Sequence, residues 1–149
     1  MLNGEQRSVE FHPSATLAQV IREQAGLTGT KLSCENGDCG ACTVQLDGVP
    51  VKSCLMLAVE AIGRRITTIE GIENQALKEA FVAHNGFQCG YCTSGMIVNI
   101  DALFKNDANP EEATIRSHLQ SNLCRCTGYE GIEAAIKSLK INQHNEKPM

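Results

Sequence analysis

Eight cysteines stand in two groups of four along 149 residues, and their spacing suits ligands for iron and sulfide. The first group is Cys34-x4-Cys39-x2-Cys42, with a fourth thiol at Cys54. The second is Cys89-x2-Cys92 and, after a long gap, Cys124-x-Cys126. Thiolate sulfur is a soft donor that selects iron–sulfur clusters, zinc or cuprous copper. A Cys-x4-Cys-x2-Cys run whose fourth ligand comes from further along the chain is the plant-type [2Fe–2S] spacing. Gly37 and Gly40 lie inside that loop, where positive φ lets backbone approach a cluster. Successive N–H groups in such a loop can cradle negative charge. Zinc suits the first group poorly, because structural zinc is usually held by two similar short-spaced knuckles. A Rieske centre needs two histidine ligands. His12, His84, His118 and His144 are scattered, and none pairs with a cysteine at close spacing, so they read as surface or packing residues. On spacing alone the second group stays open between a [2Fe–2S] cluster and zinc. Arg125, between its last two thiols, either offsets cluster charge or is an ordinary solvated arginine. No acid–base constellation accompanies the cysteines, which points to electron movement rather than substrate chemistry.

Two kinds of local pattern position these thiols. In the first half, Ser8–Phe11 reads as a short strand. Thr16 opens a helix with Gln19 as its capping-box partner, Leu17, Val20 and Ile21 form its buried stripe, and Gly26 closes it. Thr43–Asp47 alternates as a strand, Asp47-Gly48 is a hairpin turn signal, and Val49–Cys54 returns as its partner. Ile66–Ile69 is a further strand. Strands around one helix with a cysteine loop between them predict a β-grasp ferredoxin domain. From Asn74 onward apolar residues take helical spacing. Leu77, Ala80 and Phe81 mark one helix, and Met96, Ile97, Ile100, Leu103 and Phe104 a second. Asn109-Pro110-Glu111-Glu112 is a helix start signal for a third helix carrying Ile115 and Leu119. Ile132, Ile136 and Leu139 mark a fourth. Thr93 or Ser94 is the expected cap of the second helix, directly after Cys92, where the positive end of the helix would favour a thiolate cluster. The expected fold is therefore α+β: a ferredoxin domain at 1–72, a helical cysteine-bearing domain at 73–141, and a polar tail at 142–149.

Bulk properties narrow the function. The net charge is −4, without the basic stripe of a nucleic-acid binder. No apolar run is long enough to span a bilayer, so no membrane role is expected. The N-terminus shows neither the basic nor the apolar region of a signal peptide. A cytoplasmic location is the expectation, and there cysteine pairs more often bind metal than form disulfides. Aromatic residues make up 4% and tryptophan is absent; small cores of this kind benefit from a metal staple.

Four stretches together resemble the small iron–sulfur subunit of the molybdenum hydroxylases, the family of xanthine dehydrogenase, carbon monoxide dehydrogenase, aldehyde oxidoreductase and the N-heterocycle hydroxylases. They are Leu27-Thr28-Gly29-Thr30-Lys31, Cys34-Glu35-Asn36-Gly37-Asp38-Cys39-Gly40-Ala41-Cys42-Thr43-Val44, Gln88-Cys89-Gly90-Tyr91-Cys92-Thr93-Ser94-Gly95-Met96-Ile97 and Asn122-Leu123-Cys124-Arg125-Cys126-Thr127-Gly128-Tyr129. The resemblance implies two [2Fe–2S] clusters. One, on Cys34, Cys39, Cys42 and Cys54, would lie nearer the FAD of a medium partner subunit. The other, on Cys89, Cys92, Cys124 and Cys126, would lie nearer the molybdopterin of a large partner subunit. Gln88 and Cys126 are the positions that would approach the pterin. The implied function is electron transfer from the molybdenum centre to flavin; a free-standing two-cluster ferredoxin is the alternative. The chain departs from the family pattern twice. Only Met1 and Leu2 precede Asn3-Gly4, where relatives usually carry a strand, so a short or incomplete N-terminal sheet edge is expected. Ser94 stands where many relatives have proline.

Overall fold

The structure is a computed structural model that describes residues 1–145. Among those residues the fold is α+β, a small sheet lobe followed by four helices. Helix α1 (Leu17–Gln19) continues into a π-helical turn at Val20–Gln24. Its start is the expected capping box: the Thr16 hydroxyl accepts from Gln19 N–H at 3.3 Å, and Gln19 Oε1 accepts from Thr16 N–H at 2.9 Å. Strands β1 (Thr43–Leu46) and β2 (Val49–Lys52) form the expected hairpin, with Thr43 opposite Lys52 and Leu46 opposite Val49. Asp47 (φ 51) and Gly48 (φ 88) both take positive φ, as a two-residue turn matched to strand twist requires. β3 (Ile66–Thr67) pairs antiparallel with the other edge of β1, giving the order β2-β1-β3.

β1 is buried along its whole length, and its alternation explains how. Val44 and Leu46 join Leu17, Ile21 and Ala61 in the core of the sheet lobe. Thr43 and Gln45 point to the opposite face, which the helical lobe covers. Gln45 Nε2 donates to Val98 O at 3.0 Å and to Asp101 Oδ2 at 2.9 Å. The polar half of a strand is normally the solvated half; here it is the seam between lobes.

The helical lobe comprises α2 (Gln75–Ala83), α3 (Thr93–Asn106), α4 (Glu112–Leu119) and α5 (Glu130–Asn145). Every residue of α3 from Gly95 to Leu103 is buried. One side of α3 meets Leu77, Phe81, Ile115, Ile132 and Ile136 in the main core. The other carries Asn99 and Asp101 toward the seam. Asp101 is fully buried; it pairs with Lys105 at 2.8 Å and accepts from Gln45, which offsets the cost of burying its charge. No helix among the described residues is long and apolar enough to cross a membrane.

Four local expectations are corrected. Ser8–Phe11 belongs to no ladder; Leu2 instead makes lone bridges, antiparallel to Glu5 and parallel to Ile66. The strand expected at Ile66–Ile69 stops at Thr67, because Ile69–Gly71 winds into a 3-10 turn. Asn109 does not cap α4: its own N–H is held by Asp107 Oδ1 at 3.0 Å, and Glu111 occupies the cap position. α5 runs to Asn145, into the segment expected as a polar tail; residues 146–149 of that segment lie outside the described residues.

Gly95 is the tightest point of the seam. A Cβ there would overlap the carbonyl oxygen of Gly40 and lie 3.2 Å from Ala41 Cα. Alanine is the better helix former by about 1 kcal/mol, yet overpacking of this kind typically costs about 1–3 kcal/mol. Gly95→Ala is therefore expected to lower the denaturant midpoint of the cluster-loaded chain. A midpoint equal to or above that of the parent would contradict this packing.

Candidate metal centres

The first cysteine loop is shaped by backbone. Glu35 (φ 54), Gly37 (φ 90) and Gly40 (φ 69) each reverse the chain. The reversal turns N–H groups inward, and Cys39 N–H donates to Cys34 Sγ at 3.3 Å. Donation from Cys39 and then Asn36 draws the Cys34 thiol down to about 7. Cys42 and Cys54 are buried beneath the loop. Burial first, and the adjoining Cys42 thiol second, push Cys54 up to about 11. Ser53 fixes the turn that delivers Cys54, its hydroxyl donating to Cys42 O at 2.6 Å.

The second site is built on two helix ends. Cys89 and Cys92 lead into α3, while Cys124 and Cys126 sit between α4 and α5. Cys126 and Cys89 place their sulfurs 3.7 Å apart, and the hydrogen bond and charge of Cys89 raise Cys126. Burial, then the Cys124 thiol, push Cys92 up to about 12. Burial also acts to raise Cys124, but the Thr127 hydroxyl and the N–H groups of Thr127 and Cys126 leave it below the ordinary thiol value. Neither Thr93 nor Ser94 caps α3. Cys92 holds the cap position with no side-chain cap bond, and both hydroxyls are buried without a hydrogen-bond partner among the described residues.

The thiols interact two by two: Cys89 and Cys126 through the 3.7 Å sulfur contact, and Cys34 with Cys39, Cys54 with Cys42 and Cys92 with Cys124 through thiol hydrogen bonds. That is the donor set two tetrahedral irons require, with two thiolates on each and four per cluster. Metal–sulfur bonds of about 2.3 Å set two thiolates about 3.8 Å apart at a tetrahedral centre, which matches the Cys89–Cys126 separation. All eight cysteines are free, and 3.7 Å between Cys89 and Cys126 is far beyond a disulfide bond of about 2.05 Å. The residues present therefore fit a [2Fe–2S] cluster at each site.

The two cradles touch. Leu123 N–H, beside Cys124, donates to Cys39 O at 2.8 Å. Asn122 Nδ2 donates to Gly40 O at 2.8 Å, and Asn122 Oδ1 accepts from Asn99 Nδ2 at 2.9 Å. Tyr91, between Cys89 and Cys92, donates its hydroxyl to Leu32 O at 2.5 Å. A Cβ on Gly40 would overlap Ser121 O. Asn122 enters the sequence analysis only as part of a motif and Asn99 not at all; the signal for Asn99 was a lone amide within the apolar run Met96–Ile100. Of the residues singled out beyond the thiols, Gln88 is exposed with no hydrogen bond among the described residues, and Arg125 is likewise exposed. His118 Nδ1 packs against Asn99 Oδ1 at 3.2 Å, and His12 Nδ1 against Ser14 Oγ at 2.7 Å.

Comparison with known proteins matches residues 1–65 to the 2Fe-2S iron-sulfur cluster binding domain and residues 68–137 to a [2Fe-2S] binding domain. A probable xanthine dehydrogenase subunit of Bacillus subtilis is 45% identical over 134 residues, spanning 88% of this chain and 78% of that one. The nicotine 6-hydroxylase small subunit of Paenarthrobacter nicotinovorans is 43% identical over 138 residues, spanning 91% and 84%. This chain belongs to the small iron–sulfur subunits of the molybdenum hydroxylases. The crystal structure of quinoline 2-oxidoreductase from Pseudomonas putida 86 superposes with a TM-score of 0.89 at 40% identity, over 99% of this chain and 94% of that one. As in this family, the fold is a β-grasp ferredoxin lobe followed by a four-helix lobe, with a place for two [2Fe–2S] clusters.

The charge balance of the thiols gives a test on the cluster-stripped chain. Cys34 holds its proton less tightly than an ordinary thiol, so its alkylation rate should climb as pH rises through about 7. Cys92, raised to about 12, should stay protected across the same range. Mass spectrometry of peptides alkylated between neutral and mildly alkaline pH reads both. Equal rates at the two positions would contradict the described geometry.

Proposed function

We propose that this chain is the electron-transfer iron–sulfur subunit of a molybdopterin-dependent hydroxylase or dehydrogenase, working between a molybdopterin-binding large subunit and a FAD-binding medium subunit. The observation that carries this reading is the contact between two four-thiol cradles through Leu123–Cys39 and Asn122–Gly40, which makes one continuous protein bridge between them. When bound, the clusters supply one-electron storage between a two-electron substrate oxidation and flavin. The protein's part is to hold the thiolates: Cys34, Cys39, Cys42 and Cys54 for the cluster nearer flavin, and Cys89, Cys92, Cys124 and Cys126 for the one nearer the pterin. Residues 1–72 and 73–141 form the two units that carry them. The chain binds no substrate; the large subunit does.

Support for partner subunits comes from the rim of the second cradle. Phe87, Tyr91 and Leu123 are exposed beside Gln88, Cys89 and Cys126. Exposed apolar side chains gathered round a redox site suit a buried subunit interface better than the charged docking face of a free carrier. Gln88 offers an exposed amide whose donor and acceptor have no hydrogen-bond partner among the described residues, suited to the polar edge of a pterin. Eight free cysteines suit a reducing compartment, which is the cytoplasm.

The natively expressed protein should elute in one peak containing molybdenum, flavin and iron; elution as an isolated chain without molybdenum would contradict the subunit assignment. Within that complex, Gln88→Ala should leave the iron–sulfur absorbance intact while slowing reduction by substrate roughly tenfold, the loss of about one hydrogen bond. Xanthine, nicotine and quinoline, the compounds named for its relatives, are the first to try. An unchanged rate would remove Gln88 from the pterin contact. Cys42→Ala should abolish one of the two electron paramagnetic resonance signals of the reduced chain and spare the other; retention of both would refute the ligand set.

A further inference from the structure

We infer that Thr127 sets the reduction potential of the second cluster by donating its hydroxyl hydrogen to the sulfur of Cys124. The inference rests on the ligand set proposed above. Thr127 Oγ1 lies 3.1 Å from Cys124 Sγ, and Thr127 N lies 3.4 Å from the same sulfur. A hydroxyl has one hydrogen to give. Its oxygen already accepts from Tyr129 N–H at 3.2 Å, so the hydrogen is left to point at Cys124.

The loop is bent for this purpose. Gly128 (φ 64) and Tyr129 (φ 70) are consecutive residues of left-handed conformation, and a tyrosine held there is strained. The bend returns the Tyr129 hydroxyl to the base of the loop, where it accepts from Cys124 N–H at 2.8 Å and donates to Asn122 O at 3.1 Å. Cys124 is thus gripped at its sulfur by Thr127 and at its amide by Tyr129. Asn122, tied to the same tyrosine, reaches the first cradle. Among the described residues no other cysteine sulfur receives a side-chain hydroxyl.

The direction of the effect follows from charge. Reduction adds one electron and no proton to a cluster already rich in negative charge. Hydrogen bonds to its sulfurs stabilise the added electron and raise the potential. Removing one donor must lower it.

The test is a potentiometric titration of the assembled holoprotein with dithionite and mediators, following the two electron paramagnetic resonance signals separately. Thr127→Val keeps the shape and the backbone donor but removes the hydroxyl; Thr127→Ser keeps the hydroxyl. At the potential where the second cluster of the parent is half reduced, the valine protein should show a reduced-to-oxidised ratio lower by about threefold to tenfold. Tenfold corresponds to about 59 mV for one electron. The first cluster should be unmoved and the serine protein should stay close to the parent. Both signals intact with neither midpoint shifted would overturn the inference, as would serine falling as far as valine. If the valine chain does not take up its second cluster, Thr127→Ala is compared with Thr127→Ser by the same criterion. A parent protein lacking the second signal would instead refute the ligand set, which keeps the two failures distinguishable.

Discussion

Four thiols cannot all ionise in one small space. Each site shows the consequence as a split: Cys34 and Cys124 fall below the ordinary thiol value, while Cys54, Cys92 and Cys126 rise above it. Backbone N–H groups and one hydroxyl accommodate the first negative charge of a site, and each further thiolate pays for its neighbours. Only a cationic centre draws all four down together, which is how metal binding and thiol ionisation become coupled. The chain is small and poor in aromatic side chains, so metal-bound cysteines are well placed to act as its missing covalent staples.

That constraint accounts for the seam. The cradles lie where the lobes meet, and they meet backbone to backbone. Gly40 and Gly95 leave out the side chains that would hold them apart. Asn122 satisfies Gly40 O from one side and is itself held by Asn99. A buried amide left unpaired costs about 1–3 kcal/mol, so these pairings fix one docking of the lobes over its alternatives. A fixed docking holds the distance between the two sites constant, which an electron relay needs.

The sites were more legible in the sequence than the seam. The cysteine spacings, the Thr16 capping box and the Asp47-Gly48 turn are local, each specified by a few neighbouring residues, and the structure reproduces the helix start and the hairpin. The polar face of β1 was not legible. Thr43 and Gln45 alternate with Val44 and Leu46 just as a solvated face would, and only the arrival of α3 turns that face inward. Ser8–Phe11 has the composition of a strand, but composition cannot supply the hydrogen-bonding partner that a strand requires. Asn109-Pro110 satisfied every local rule for a helix start, yet the helix begins two residues later at Glu112, with Glu111 extended at its cap and Asn109 N–H turned to Asp107 Oδ1. Thr93 and Ser94 stood at the expected cap positions, but α3 is buried from its first turn and neither hydroxyl reaches a free N–H. Thr127 and Tyr129 were visible as part of a motif; their grip on Cys124 depends on two left-handed residues that spacing does not reveal.

Spin quantitation of the fully reduced chain, set beside its iron and acid-labile sulfide content, tests the central claim most directly. Two sites of the kind described predict a red-brown protein with two unpaired spins per chain and iron and sulfide in equal, two-cluster amounts. A colourless protein containing zinc, or one whose cysteines are joined as disulfides, would contradict it.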